Sequence, residues 1–325
     1  MYKDLPKIEL HCHLDGSLDV DTTREILSAR GKDFTREELV DLMQVPEDCT
    51  SLAEYLKRFA LPNEALQTQE DIRKSTKAFA LNAAAENVKY LETRFAPQFS
   101  TAEGLSYRQV LESVEAGLRD AREATGIRTG IIVCGMRGIP METNLDMLKA
   151  AREMLGAGVV ACDLAGDEAS YPATEFVEFF DMAKKYDMPY TIHAGECGSC
   201  KNIIDSIDMG AKRIGHGIAM MKDKTTMDYV ISHHIGVEMC PTSNLQTKAV
   251  AGIEEYPFMK FFEAGVCLNL NTDNRTVSNV DLTGEFGLID KLYGIGQDGF
   301  TQIYKNGVEM IFADDAVKHE LLKSI

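Results

Sequence analysis

The sequence predicts an α/β protein, a (β/α)8 barrel of the TIM type, on three observations. Short β-rich runs recur eight times, at 8–11, 89–95, 127–133, 159–163, 189–193, 213–216, 236–239 and 265–270. Each is followed by a stretch of helical periodicity, and most intervals match the length of one βα unit. Residues able to do chemistry gather where the runs stop. The long gap before residue 89 leaves room for extra helices, and the C-terminal "FTQIYKNGVEMIFADDAVKHELLKSI" reads as two more short helices. With neither an internal repeat nor a Pro/Ser/Gly-rich linker, residues 1–325 are expected to form one barrel domain.

Between the strands, "NLDMLKAAREMLGAG" places Leu145, Leu148, Ala151 and Leu155 on one stripe and stops at Gly156. "TEFVEFFDMAKKYDMP" stops before Pro189. In the early insertion, "SLAEYLKRFALP" puts Leu52, Tyr55, Leu56 and Phe59 at helical spacing. Such a stripe ordinarily belongs to the core; the other reading is an apolar lid over the mouth of a pocket.

A net charge of −17, spread along the chain, repels polyanions, so neither nucleic acid nor an anionic membrane is expected as a partner. Residues 1–10 hold charges and a proline where a secretory signal needs an apolar run, and no stretch reaches membrane-spanning length. The eight cysteines are irregularly spaced and mostly within apolar runs, which suits reduced thiols in a cytoplasmic protein.

"IELHCHLDGS" ends the first strand with His11 and His13, two residues apart and therefore on one face. The fifth strand ends in His193 with Glu196 on the following loop, the sixth ends in His216, and the eighth runs out into Asp273. Singly, each has a bland reading: an incidental H-x-H, a hydrogen-bonded structural histidine, a turn-capping aspartate, a solvated loop glutamate. Together they occupy the end of the barrel where such enzymes assemble their sites. Neutral imidazoles and a carboxylate form a borderline ligand set that suits zinc, with His11, His13, His193 and Asp273 as ligands. Zinc brings the pKa of a bound water from near sixteen to about seven, which equips a site for hydrolysis. Hydrolysis also needs an acid and a base, and Glu196 and His216 are the available pair. Gly195 beside Glu196 is expected to let the backbone approach a substrate. Cys197 and Cys200 form an isolated C-x-x-C and are left outside the site, as are His233, His234 and His319.

"LPKIELHCHLDGS", "DLAGDE", "HAGE", "RIGHG", "EMCPTSNLQT" and "NTDNRTVSN", in this order and spacing, resemble the adenosine deaminase family of the amidohydrolase superfamily over nearly the whole chain. The resemblance implies one zinc ion per chain on the four ligands named above. It implies hydrolytic deamination of adenosine and 2′-deoxyadenosine to the inosine forms and ammonia, a step of purine salvage. Glu196 would then give a proton to purine N1, and His216 would handle the attacking water beside Asp273. Gly166 would donate its N–H to N3, and Asp15 with His13 would meet the ribose 5′ end. Leu52, Tyr55, Leu56 and Phe59 match the apolar segment that covers the nucleoside in relatives, while Arg94 and Pro97 match a motif read as structural. Many members carry an aspartate that bonds purine N7 where this chain has Asn274, and an asparagine amide can donate to N7 at any pH. Relatives with two metals bridge them by a lysine at the end of strand four; "CDLAGDE" has none. Two other readings stand beside this one. One is an aminohydrolase for adenine or an N6-modified adenine nucleotide, which would favour a glutamate at the position of Asp15 or cations for phosphate. The other is a non-catalytic nucleoside-binding member, which would be expected to lack a ligand.

Overall fold

The computed structural model describes residues 2–46, Cys49 and 52–325, leaving aside the side chains of residues 52 and 53. Eight parallel strands are described: β1 (Lys7–His13), β2 (Val88–Phe95), β3 (Arg128–Met136), β4 (Val159–Ala165), β5 (Thr191–Ala194), β6 (Arg213–His216), β7 (Gly236–Met239) and β8 (Leu268–Leu270). All eight predicted runs are strands. They pair in sequence order as two four-stranded arcs, β1 to β4 and β5 to β8. Single bridges join the arcs, Cys162 to Tyr190 on one side and Cys12 to Asp273 on the other. At the second seam side chains stand in for the ladder. The Oδ1 of Asn271 accepts from the N–H groups of Leu10 and His11, and Asn269 donates to the carbonyl of Ile8.

The insertion after β1 holds α1 (Val20–Ala29), α2 (Arg36–Met43), α3 (Leu52–Leu56), α4 (Ala60–Ala65) and α5 (Gln69–Ala85). The barrel helices follow as α6 (Tyr107–Thr125), α7 (Met141–Glu153), α8 (Val177–Lys185), α9 (Cys200–Asp208) and α10 (Lys224–Ser232). Then come α11 (Pro241–Gln246), α12 (Phe258–Glu263), α13 (Leu282–Tyr293), α14 (Gly296–Met310) and α15 (Asp315–Leu322). Local chemistry sets their limits. Ser106 and Gln109 form a capping box that starts α6, and Gly126 in the left-handed region stops it. In α7 the buried face is Asn144, Met147, Leu148 and Ala151, one position round from the predicted stripe. Asn144 is inside because its amide bonds both the N–H and the carbonyl of Met136 at the end of β3. Leu155 lies past the end of α7 and bridges to Val159.

One large apolar cluster runs from the insertion through the barrel helices to α14. Of the predicted stripe, Tyr55 and Phe59 belong to a small satellite with Cys49 and Val277. No described helix is long and apolar enough to cross a membrane.

Candidate active site

β1 aims His11 and His13 the same way, with ring centroids 5.4 Å apart, and β5 brings His193 to 4.5 Å from His11. Asp273 sits just beyond β8 at φ +60°, a left-handed backbone that non-glycine residues rarely adopt outside turns and functional sites. One donor atom from each of these four residues lies within 4.8 Å of the other three. The Nε2 of His13 is 3.3 Å from that of His193, and Asp273 Oδ1 is 3.4 and 3.5 Å from the Nε2 atoms of His11 and His13.

The residues behind these four are the part the sequence did not reveal. The Nδ1 of His11 meets Glu238 at 2.8 Å, the Nδ1 of His193 meets Asp163 at 2.9 Å, and Ser243 donates to Asp273 Oδ2 at 2.6 Å. Arg94 joins the two carboxylates behind the imidazoles, at 2.9 Å from Asp163 and 2.8 Å from Glu238. A carboxylate on Nδ1 puts the imidazole proton there and leaves the Nε2 lone pair facing inward. Burial lowers the pKa of both His13 and His193, which favours their neutral form. Among the described residues, buried His11 Nε2 has no hydrogen-bond partner. Lone pairs and a carboxylate oxygen turned toward one point fit a divalent cation, and these residues could hold one. His216, Cys240 and Asp273 form a second convergent group, but burial raises the Cys240 thiol well above its ordinary pKa and keeps it protonated.

His216 ends β6 at φ +66° and is buried. Tyr256 donates to Asn244 Oδ1, so Asn244 Nδ2 donates to His216 Nδ1 at 2.9 Å. Burial holds His216 neutral, so its proton sits on Nε2, 3.7 Å from Glu196 Oε2. Glu196 is pushed up to about 7 by burial, then by Asp273 and Glu168, while Thr247 donates to its Oε1 at 3.0 Å. Gly195 corrects its prediction. It does not line the cavity; a Cβ there would sit 2.5 Å from Ile203 Cδ1, and its φ of +79° suits glycine. Packing beneath α9 requires the glycine, not substrate approach.

A cavity of about 380 Å³ opens over this cluster, lined by His13, Asp15, Gly166, His193, Glu196, His216, Asp273 and Asn274. Tyr55, Leu56 and Phe59 form part of its wall. The side chain of Leu52 lies outside the described residues. Asp15 Oδ1 and Asn274 Oδ1 are buried without hydrogen-bond partners among the described residues. No lysine or arginine is among the described residues lining the cavity. Cys197 and Cys200 are not among them either.

Inward-facing donors at the carboxyl mouth of a parallel barrel, beside a glutamate that keeps its proton near neutrality, place the molecule among the metal-dependent amidohydrolases. Comparison with known proteins narrows this. A model of the adenosine deaminase family matches residues 6–325, and the chain belongs to that family. It is 40% identical to an adenosine deaminase of Clostridium botulinum over 99% of this chain and 97% of that one. An adenosine deaminase of Clostridium perfringens is 39% identical over 99% and 98%. Among solved structures, an N6-mAMP deaminase from Arabidopsis superposes with a TM-score of 0.90 at 29% identity, over 100% and 99% of the chains. An adenine deaminase from Arthrobacter aurescens at 24% identity shares the fold, with a TM-score of 0.90 over 98% and 97%.

Proposed function

We infer that the chain is a cytoplasmic zinc enzyme, active as one catalytic domain over 1–325. It converts adenosine and 2′-deoxyadenosine to inosine and 2′-deoxyinosine with release of ammonia, in purine salvage. One observation carries the reading: a single cavity is lined both by His13, His193 and Asp273 of the four-donor cluster and by Glu196. His11, His13, His193 and Asp273 would hold the zinc. Bound there, zinc supplies a Lewis acid that makes water nucleophilic near neutral pH.

The chain's own groups do the rest. Glu196 gives its proton to purine N1, which makes C6 electrophilic. His216 donates from Nε2 to the oxygen of the attacking water and orients it. Asp273 takes a proton from that water as its oxygen bonds C6, and returns it to the amine, which departs as ammonia. The remaining hydroxyl proton restores Glu196 as the C6 carbonyl forms. Gly166 gives its N–H to N3, and the Asn274 amide donates to N7. Asp15, with a buried oxygen lacking a partner among the described residues, and His13 receive the ribose 5′ hydroxyl. Tyr55, Leu56 and Phe59 cover the nucleoside and exclude water. A cavity wall that holds Asp15 and no described cation supports a nucleoside over a 5′-nucleotide.

The test incubates the purified protein, as isolated and after chelation, with adenosine, adenine and N6-methyl-AMP in parallel, following ultraviolet absorbance and released amine. Chelator-sensitive turnover of adenosine alone is expected. Turnover of adenine or the nucleotide instead would overturn the substrate and require Asp15 to be reassigned.

A further inference from the structure

We propose that Glu168 is a positioning residue for the deamination: its carboxylate clamps the loop carrying Glu196 to the loop carrying Gly166 and so sets the spacing of the two groups that meet N1 and N3. This rests on the reaction proposed above. Glu168 follows β4 and is only 5% exposed. Its Oε1 accepts from Gly195 N at 2.6 Å and from Asn202 Nδ2 at 2.7 Å. Its Oε2 accepts from Glu196 N at 2.9 Å and from Cys197 N at 3.1 Å. Three consecutive amides of the β5 loop are thus pinned to one carboxylate, and the middle one is the amide of Glu196 itself.

The pinning extends both ways. Asn202, at the start of α9, also accepts from Ala173 N through Oδ1, which ties that helix to the segment before α8. Arg137 makes the complementary set of bonds to carbonyls: Nη1 to Leu164, Nη2 to His193 and Nε to Tyr171. Glu168 gathers amides of the loop after β5, while Arg137 gathers carbonyls of β4, of β5 and of the loop after β4. Gly166 lies two residues before Glu168 and lines the cavity with Glu196. A clamp of this kind fixes where the Glu196 side chain departs from the backbone, and an error near 1 Å at a reacting group costs about 10²-fold in rate. The negative charge also adds to burial and Asp273 in keeping the Glu196 proton on.

All four partners of Glu168 are donors, so an amide in its place would turn its NH2 toward two of them in either orientation. Glu168→Gln therefore removes two bonds at nearly constant volume, and Glu168→Asp keeps the charge while drawing it back by one methylene. In Glu168→Gln, kcat and kcat/KM on adenosine should fall together by about 10²-fold, with bound metal unchanged. The decisive reading is a cycle with Glu196→Gln. If Glu168 works through Glu196, the double variant loses little more than Glu196→Gln alone. Losses that multiply, or a single variant within threefold of wild type, would overturn the proposal. Should Glu168→Gln fail to fold, Glu168→Asp runs the same cycle. Amide exchange at residues 195–197 separates this proposal from the reaction it rests on. If the wild type turns over none of the three substrates, the reaction is wrong, and the clamp still stands if those amides lose protection in the variant. Unchanged protection would overturn the clamp.

Discussion

Two sets of buried polar side chains share the inside of the barrel and differ in how their charges are matched. Along the strands, Arg94 and Arg213 stand among Glu92, Asp163 and Glu238 in ion pairs of 2.6 to 2.9 Å. At the carboxyl mouth, His11, His13, His193 and Asp273 face one another with lone pairs and a negative charge. Glu238 and Glu196 show the consequence. Burial pushes the pKa of Glu238 up, but Arg94 and Arg213 outweigh it and hold the carboxyl far below its usual range. Glu196 is also buried, and there Asp273 and Glu168 add to burial, so it rises to about 7. Burial pushes both carboxyls upward, and the nearest fixed charges decide whether that push is reversed, as at Glu238, or reinforced, as at Glu196. The matched set serves as scaffold, and the unmatched set is where chemistry is available.

The largest effect should come from the unmatched side. Glu196→Gln is expected to lower kcat by about 10²- to 10⁴-fold while metal content stays unchanged. Normal turnover in that variant would remove Glu196 from the acid role. The sign of the pH dependence follows from the shift. Because the pKa is raised from 4.5 to about 7, the carboxyl keeps its proton up to neutrality. In the wild type kcat/KM should hold below about 7 and fall with unit slope above it. An ordinary glutamate would lose its proton, and the rate with it, more than two units lower. The same shift makes the ionised form costly in the folded state, so Glu196→Gln should raise the Tm of metal-free protein at pH 8, with the gain fading toward pH 4.

On the matched side the expected loss is of stability. Arg94→Met leaves Asp163 and Glu238 buried without their shared cation, and breaking a buried pair in this way costs about 3–5 kcal/mol. Denaturant unfolding of the metal-free variant measures it. Because those carboxylates orient His193 and His11, metal affinity should also weaken by about 10- to 100-fold. A variant as stable as its parent would show that the two sets are not energetically distinct.

This difference also explains what the sequence disclosed. All eight strands were legible because each is a short β-rich run followed by a helical period, and the four donor residues were legible because they end those runs. Asp163, Glu238, Ser243 and Asn244 were not. Each acts through a partner contributed by another strand or loop, and no local pattern carries that pairing. Glu168 stood in "DLAGDE", yet nothing in that string says that its carboxylate reaches the amides of 195–197. Gly195 was misread for the same reason, since Ile203 of α9, which excludes a side chain there, is brought against it only by the fold. The α3 stripe was ambiguous because periodicity gives the spacing of an apolar face and not what the face covers.

A smaller effect is expected at the ribose end. Asp15 is pushed up to about 7, chiefly by burial, and its Oδ1 has no hydrogen-bond partner among the described residues. Asp15→Ala should raise KM for adenosine by about tenfold or more, as losing a hydrogen bond in a buried site costs roughly 1–3 kcal/mol, with kcat little changed. An unchanged KM would take Asp15 out of ribose binding.

The finest test of the comparison adds one more unmatched charge. Asn274 is buried at the cavity wall beside Asp273, and a Cβ on Gly16 would fall 1.8 Å from its Oδ1, so glycine at 16 leaves the space that side chain occupies. Asn274→Asp keeps the shape and changes only the proton inventory. Purine N7 accepts and cannot donate, so an aspartate serves it only when protonated, whereas the amide serves it at every pH. With Asp15, Glu196 and Asp273 already lining the same cavity, a fourth carboxyl should hold its proton to a higher pH than in water. The variant should match wild type in acid and lose about five- to tenfold in kcat/KM at pH 8, the worth of one hydrogen bond. With 7-deazaadenosine, which has no N7, the two proteins should share one pH profile. A loss equal at all pH values, or one that persists with 7-deazaadenosine, would mean that position 274 acts by shape and not by donating to N7.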